Sequence, residues 1–245
     1  MNSLKIFSTA AIAFVFLFLS CNGNESKTAT ATTDSTVTNR DSKTKTSEST
    51  VVTTPQDVMI VWHKVADFTK WKASYDEHES MRVSSGIHNY VIGRDAADSD
   101  MILVATKVDD VSKAKAFAKS PSLKAEMQKG GVIGAPSITI NRLVYQDNAK
   151  NMSDLRSMTT FTVKDFDAWK TVFENHIKTR IDNGLTDRVY GYDADDKHKV
   201  TVVVAFNDTA KASAFWMSDL LKKQRAESGV VGNVKRHIYH VVQKY

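Results

Sequence analysis

Asp67-Phe68-Thr69-Lys70-Trp71-Lys72 returns 98 residues later as Asp165-Phe166-Asp167-Ala168-Trp169-Lys170. Reading outward from these hexapeptides, the two stretches keep step. His78 is matched by His176, Arg82 by Arg180 and Gly86 by Gly184. Gly93-x-Asp95-Ala96-x-Asp98 is matched by Gly191-x-Asp193-Ala194-x-Asp196. Lys113-Ala114-x-Ala116-Phe117-x-x-Ser120 is matched by Lys211-Ala212-x-Ala214-Phe215-x-x-Ser218. About a third of the aligned positions from Val65 to Asp147 are identical, with no gap. A period this long means a duplicated module rather than a solenoid unit.

Each copy reads as βαββαβ. In the first, Val58–Val65 alternates like a strand. Asp67 is a good N-cap for a helix running to about Ser85, with Gly86 as its C′ residue. Strands are expected over Ile87–Arg94 and Met101–Val108, around a turn rich in Asp. A second helix starts at Asp110, is interrupted near Ser120-Pro121 and ends at Gly130-Gly131. Gly131-Val132-Ile133-Gly134 follows a helix rather than opening one, so it reads as a bend, not a phosphate loop. Ile138–Tyr145 closes the unit. The second copy repeats this over Met158–Gln243. The expected fold is α+β, with two tandem ferredoxin-like repeats. Val200–Phe206 is apolar on both faces, and Met101–Ala105 nearly so. Helices cover one face only, and the other needs a partner sheet. The simplest partner is the other copy, giving a closed barrel and an intramolecular pseudo-dimer.

The chain has 245 residues, a formal net charge of +5 and one cysteine. Residues 1–20 hold an apolar run, Ile6 to Ser20, too short to span a bilayer comfortably but suited to a signal peptide. It ends at Cys21, and the arrangement resembles a bacterial lipoprotein signal. That resemblance implies lipidation of Cys21 and a protein anchored in the cell envelope, at the outer membrane. Residues 21–56 are rich in Ser, Thr and Lys and have no aromatic residue, so they read as a tether. Repeat one is expected at 57–147, a linker at 148–155 and repeat two at 156–245. A single cysteine excludes a disulfide framework and a Cys-rich metal site. Basic and acidic residues are interspersed, which argues against nucleic acid as a partner.

The shared pattern D-F-x-x-W-K, with the aromatic, His, Arg and Gly positions after it and the later K-A-x-A-F-x-x-S, resembles the dimeric α+β-barrel superfamily. More narrowly it is similar to the antibiotic-biosynthesis-monooxygenase-like group. Most relatives hold one copy and dimerise. The resemblance implies cofactor-free oxygenases, haem-degrading enzymes or proteins with no known reaction, so fold does not decide activity.

Phe68, Trp71, Tyr75, His78 and Arg82 fall on one stripe of a helix, as do Phe166, Trp169, Phe173, His176 and Arg180. Two readings stand. The His and Arg can lock the helix end through backbone and acidic partners. Alternatively, they can bind an anionic or carbonyl ligand in a helix–sheet cleft. Related haem-degrading members use a helix histidine, but their fuller signature is missing, so no haem site and no other cofactor is assigned.

The copies also differ. Repeat one has Trp62 and His63 where repeat two has Thr160 and Phe161. Repeat two has His237, Tyr239 and His240 where repeat one has Thr139, Asn141 and Arg142. If Ile238 and Val242 meet the helices, His237 and Tyr239 point into the barrel. His63, His237 and Tyr239 join the ligand-binding candidates, and no metal is assigned. No motif of hydrolase, metalloprotease or thiol-redox chemistry occurs. The expected function is small-molecule binding by an envelope-anchored barrel. The alternatives are an oxygenase-like or haem-handling enzyme, and a structural or interaction module.

Overall fold

The computed structural model describes residues 50–150 and 153–245. The expected signal peptide, Cys21 and most of the expected tether lie outside the described residues.

Among the described residues, nine strands and eight helices follow in order. These are β1 (Val51–Val52), β2 (Gln56–Val65), α1 (Phe68–Glu77), α2 (Glu79–Ser84), β3 (Ile87–Asp95), β4 (Met101–Val108), α3 (Val111–Ala118), α4 (Pro121–Lys129) and β5 (Val132–Asp147). The second copy gives β6 (Leu155–Val163), α5 (Phe166–Asn175), α6 (Ile177–Asp182), β7 (Leu185–Asp193), β8 (Asp196–Phe206), α7 (Thr209–Trp216), α8 (Asp219–Glu227) and β9 (Val230–Lys244). The caps match the sequence chemistry. The side chains of Asp67, Asp110, Asp165 and Asp208 each accept a hydrogen bond from a first-turn backbone N–H. Gly86 and Gly184 take the left-handed conformation that ends the first helical segment, with φ of 70° and 73°.

Three local expectations are corrected. Each first helix is broken in two, at His78 and at His176, where the backbone leaves helical geometry. The apolar stripe continues through the break, so spacing alone hides it. The last strand of each copy starts earlier than expected, at Val132 and Val230, so the glycine-rich segment is already strand. Its pairing slips by a bulge, between Trp62 and Lys64 on β2 and between Thr160 and Thr162 on β6. Residues 50–56, read as the end of the tether, belong to the fold. Val51 and Val52 pair with Asp147 and Gln146 of β5.

The strand order is β5-β2-β4-β3-β9-β6-β8-β7, and β7 pairs back onto β5. All neighbours are antiparallel. The sheet is therefore a closed eight-stranded barrel, four strands from each copy, with β1 continuing the line of β2 along β5. Alternating directions give β5 and β9 the same sense, so equivalent residues of the two copies lie at the same end of the barrel. The seams are β3–β9 and β5–β7. Glycines let the backbones close there. A Cβ on Gly93 would meet the Tyr239 ring at 2.4 Å, and one on Gly191 would meet the Arg142 carbonyl oxygen at 2.1 Å.

The fold has three cores. Trp71, Ile87, Ile92 and Phe117 pack between helices and sheet in repeat one. Trp169, Leu185, Phe206 and Phe215 do so in repeat two. Val58, Ile60, Leu103, Leu143, Met158, Val203 and Tyr239 fill the barrel. The doubly apolar β8 explains itself: Val200, Val202 and Val204 face the helices, while Val203 faces the barrel.

Candidate functional site

The residues of the helix stripe gather in a cleft between α1, α2, α4 and the sheet of repeat one. It encloses about 80 Å³ and is lined by His63, Tyr75, His78, Arg82 and Glu126 among apolar side chains. On β2, His63 has the parity of Val61 and Val65, so it turns toward the helices. It is 4% exposed, with its ring 5.3 Å from that of Trp71. Among the described residues, neither ring nitrogen has a hydrogen-bond partner. Burial lowers its pKa to about 4, so the imidazole is neutral at physiological pH.

Arg82 is 6% exposed and its guanidinium lies 3.6 Å from the centre of the Tyr75 ring. Nη1 donates to the Tyr75 carbonyl at 2.6 Å, and Nε to Asn89 Oδ1 at 3.2 Å. Nη2 has no partner. The Tyr75 hydroxyl donates to the same Asn89 oxygen at 2.6 Å, and Asn89 Nδ2 donates to Glu79 at 2.8 Å. Burial pushes the Tyr75 phenol well above its usual pKa, against the smaller opposing influence of Arg82. At the helix break, His78 Nδ1 lies 2.6 Å from the Ser74 carbonyl. Its Nε2 faces Glu126 Oε2 at 2.8 Å, close but not aligned as a hydrogen bond. The Glu126 carboxyl is held below its usual pKa, chiefly by the hydrogen bond from Lys129 and less by His78.

Repeat two builds the matching cleft, of about 100 Å³, with different chemistry. Phe161 replaces His63 and Gln224 replaces Glu126. Arg180 is 7% exposed and lies 3.6 Å above the Phe173 ring. It donates from Nε and Nη2 to Asp187 at 2.8 and 2.5 Å, and from Nη1 to the Phe173 carbonyl at 2.7 Å. The Tyr190 hydroxyl donates to Glu174. His176 sits at the helix break, half-buried, with no side-chain hydrogen bond of its own. Arg236 stacks 3.8 Å above Trp216, its pKa lowered to about 10 by burial and then by Arg225.

The structure separates residues that the sequence grouped together. His63 faces the helices, whereas His237 and Tyr239 stand on the barrel side of β9. The His237 ring is 4.9 Å from Trp62, and Tyr239 is 5% exposed inside the barrel. His63 and His237 are therefore on opposite faces of the sheet. Among the described residues, no group of three His, Cys, Asp or Glu side chains is placed to hold a metal. A haem does not fit either cleft. Both are small beside a porphyrin, and the His78 nitrogens are turned to Ser74 and Glu126 rather than to an open position. Sequence reading missed Asn89, Glu126 and Arg236. Asn89 was within reach, since it aligns with Asp187 one strand beyond the paired arginines.

No family model matches the chain, and no curated protein sequence does. Solved structures do. An anthrone oxidase-like protein aligns over 80% of this chain and 95% of its own, with 10% identity and a TM-score of 0.54. A provisionally named monooxygenase from Fusobacterium nucleatum aligns over 77% of this chain and 93% of its own, with 13% identity and a TM-score of 0.51. A ferredoxin-fold protein from Listeria monocytogenes, described as related to antibiotic biosynthesis monooxygenases, aligns over 78% of this chain at 9% identity. It is covered over 97% of its length, with a TM-score of 0.42. The chain thus has the fold of these neighbours, a ferredoxin-like α+β barrel, with both halves of the barrel in one polypeptide.

Proposed function

We propose that this is an envelope protein, anchored through Cys21, that binds a small molecule in the repeat-one cleft. The observation that carries the binding reading is His63. A buried imidazole with two unpartnered nitrogens has given up water without replacing it, at a cost of about 1–3 kcal/mol. A ligand with a hydrogen-bond donor would repay that cost. The site suits a compact, largely apolar molecule with one or two polar groups: Trp71 and Tyr75 supply flat apolar surface, while His63 and Arg82 Nη2 supply an acceptor and a donor.

The oxygenase-like alternative draws on the same residue. The imidazole, held neutral by burial, would orient a substrate hydroxyl by accepting its hydrogen bond. The test is native mass spectrometry and a thermal-shift screen of the purified protein and of His63→Phe, the residue repeat two already uses. Ligands should be lost in His63→Phe while the fold is retained. Oxygen uptake with any hit separates enzyme from binder. Equal ligand retention by both proteins would sink the cleft reading. Retention of Cys21→Ser in membrane fractions would sink the anchor.

A further inference from the structure

The barrel interior holds a second cavity, of about 180 Å³, on the sheet face away from both clefts. Its walls are apolar, with Leu103, Leu143, Met158 and Val203 among them. One end is not. Arg156 and Arg188 are 4% and 6% exposed, and Lys244 stands at the rim with its side chain open to solvent.

Arg156 donates from Nη1 to the carbonyls of Ser153 and Leu155, both at 2.8 Å. Among the described residues it has no carboxylate partner, and its Nε and Nη2 make no protein hydrogen bond. Arg188 donates to Asp147 at 3.1 Å and to the Ala149 carbonyl at 2.6 Å. Asp147 already takes the Thr50 hydroxyl and the Ala149 N–H, each at 2.8 Å. The other acid close by, Asp154, is exposed and pairs with His240 at 3.1 Å. Three cations thus stand beside two carboxylates, Asp147 next to Arg188 and Lys244 and the exposed Asp154 next to Arg156. Burial lowers the pKa of both Arg156 and Lys244; Arg188 lowers each further, against Tyr239 and Asp154 on Arg156 and against Asp147 on Lys244. Buried charge is ordinarily paired, and here three cations face two carboxylates, one of them exposed, so this end of the barrel keeps a net positive charge.

We propose that the barrel interior is a binding site for an organic carboxylate with an apolar tail. The head would lie between Arg156 and Arg188, whose planar forks match a carboxylate, and the tail would run into the apolar interior. The site is distinct from the repeat-one cleft and does not depend on it.

The test titrates the purified full chain with octanoate, 1-octanol and acetate by isothermal calorimetry. Octanoate should bind one per chain. Octanol lacks the head and acetate lacks the tail, so each should bind about tenfold or more weaker. Arg156→Met should weaken octanoate about tenfold or more, and His63→Phe should leave it unchanged. Lys244→Met, at the exposed rim, should fold regardless and weaken binding about threefold, with a matching loss in high salt. Equal affinity for octanol and octanoate would overturn the proposal. So would wild-type affinity in Arg156→Met, or loss of binding in His63→Phe. Should Arg156→Met fail to fold, octanoate binding that ignores both Lys244→Met and salt would overturn it equally.

Discussion

Repeat one and repeat two bring an arginine to the same place, over an aromatic ring and against the same turn of backbone, and then treat it differently. In repeat two Arg180 closes on the carboxylate of Asp187, and the cleft beside it is lined by Phe161. In repeat one Arg82 has the neutral amide of Asn89 where Arg180 has a carboxylate, keeps one nitrogen unpartnered among the described residues, and has the unpaired His63 for company. One copy has completed its polar network. The other has left donors and acceptors facing a cavity, at a cost to stability that a ligand site would justify.

The sharpest way to break this comparison is to remove the partner of each arginine. Asp187→Ala leaves Arg180 buried with an uncompensated charge and should cost about 3–5 kcal/mol. Asn89→Ala removes a neutral amide that accepts from Arg82 and Tyr75 and donates to Glu79, and should cost about 1–3 kcal/mol. Urea denaturation of both variants decides, and an Asn89→Ala loss as large as that of Asp187→Ala would erase the asymmetry.

The next effect is pH dependence through His63. Its folded pKa is about 4, against 6.5 for the free side chain, so between these values the unfolded chain binds more protons. Stability from this group is fully present above pH 6.5 and is lost as pH falls toward 4, by on the order of 3 kcal/mol. His63→Phe should remove that part of the acid sensitivity and unfold at higher urea at pH 5. An unchanged pH profile in His63→Phe would show that the imidazole is not buried uncharged.

The smallest effect sharpens the comparison at the helix breaks. His78 has both a carbonyl and Glu126 beside it, so His78→Ala should cost about 1 kcal/mol. His176 has no such partners, so His176→Ala should stay within about 0.5 kcal/mol. Equal melting of the two variants would mean that the break itself, not the side chain, sets the geometry.

The duplicated fold was legible because the repeated residues are those with fixed structural duties: capping aspartates, left-handed glycines and the Trp71/Trp169 stripe. The barrel was legible from a strand with no polar face. The site was legible only in part. His63 could have been placed from its parity with Val61 and Val65. The breaks at His78 and His176 leave the stripe intact and so leave no mark in spacing. Arg156 and Arg188 do not stand out in the sequence because an arginine in a strand reads as surface, and a bulge between Asp187 and Val189 breaks the alternation, so counting back from Tyr190 places Arg188 on the wrong face.

Covalent union of the two barrel halves has a consequence for what sequence change can reach. In a barrel made from two identical chains, every substitution enters twice, and a cation placed inward confronts its own image at the same end. Here the repeat-one positions equivalent to Arg156, Arg188 and Lys244 hold Val58, Tyr90 and Gln146. Fusion turns a paired mutation into a single one, so charge can gather on one wall of the lumen without meeting itself. The partner sheet is also always present: dilution, which dissociates a two-chain barrel, leaves this one intact.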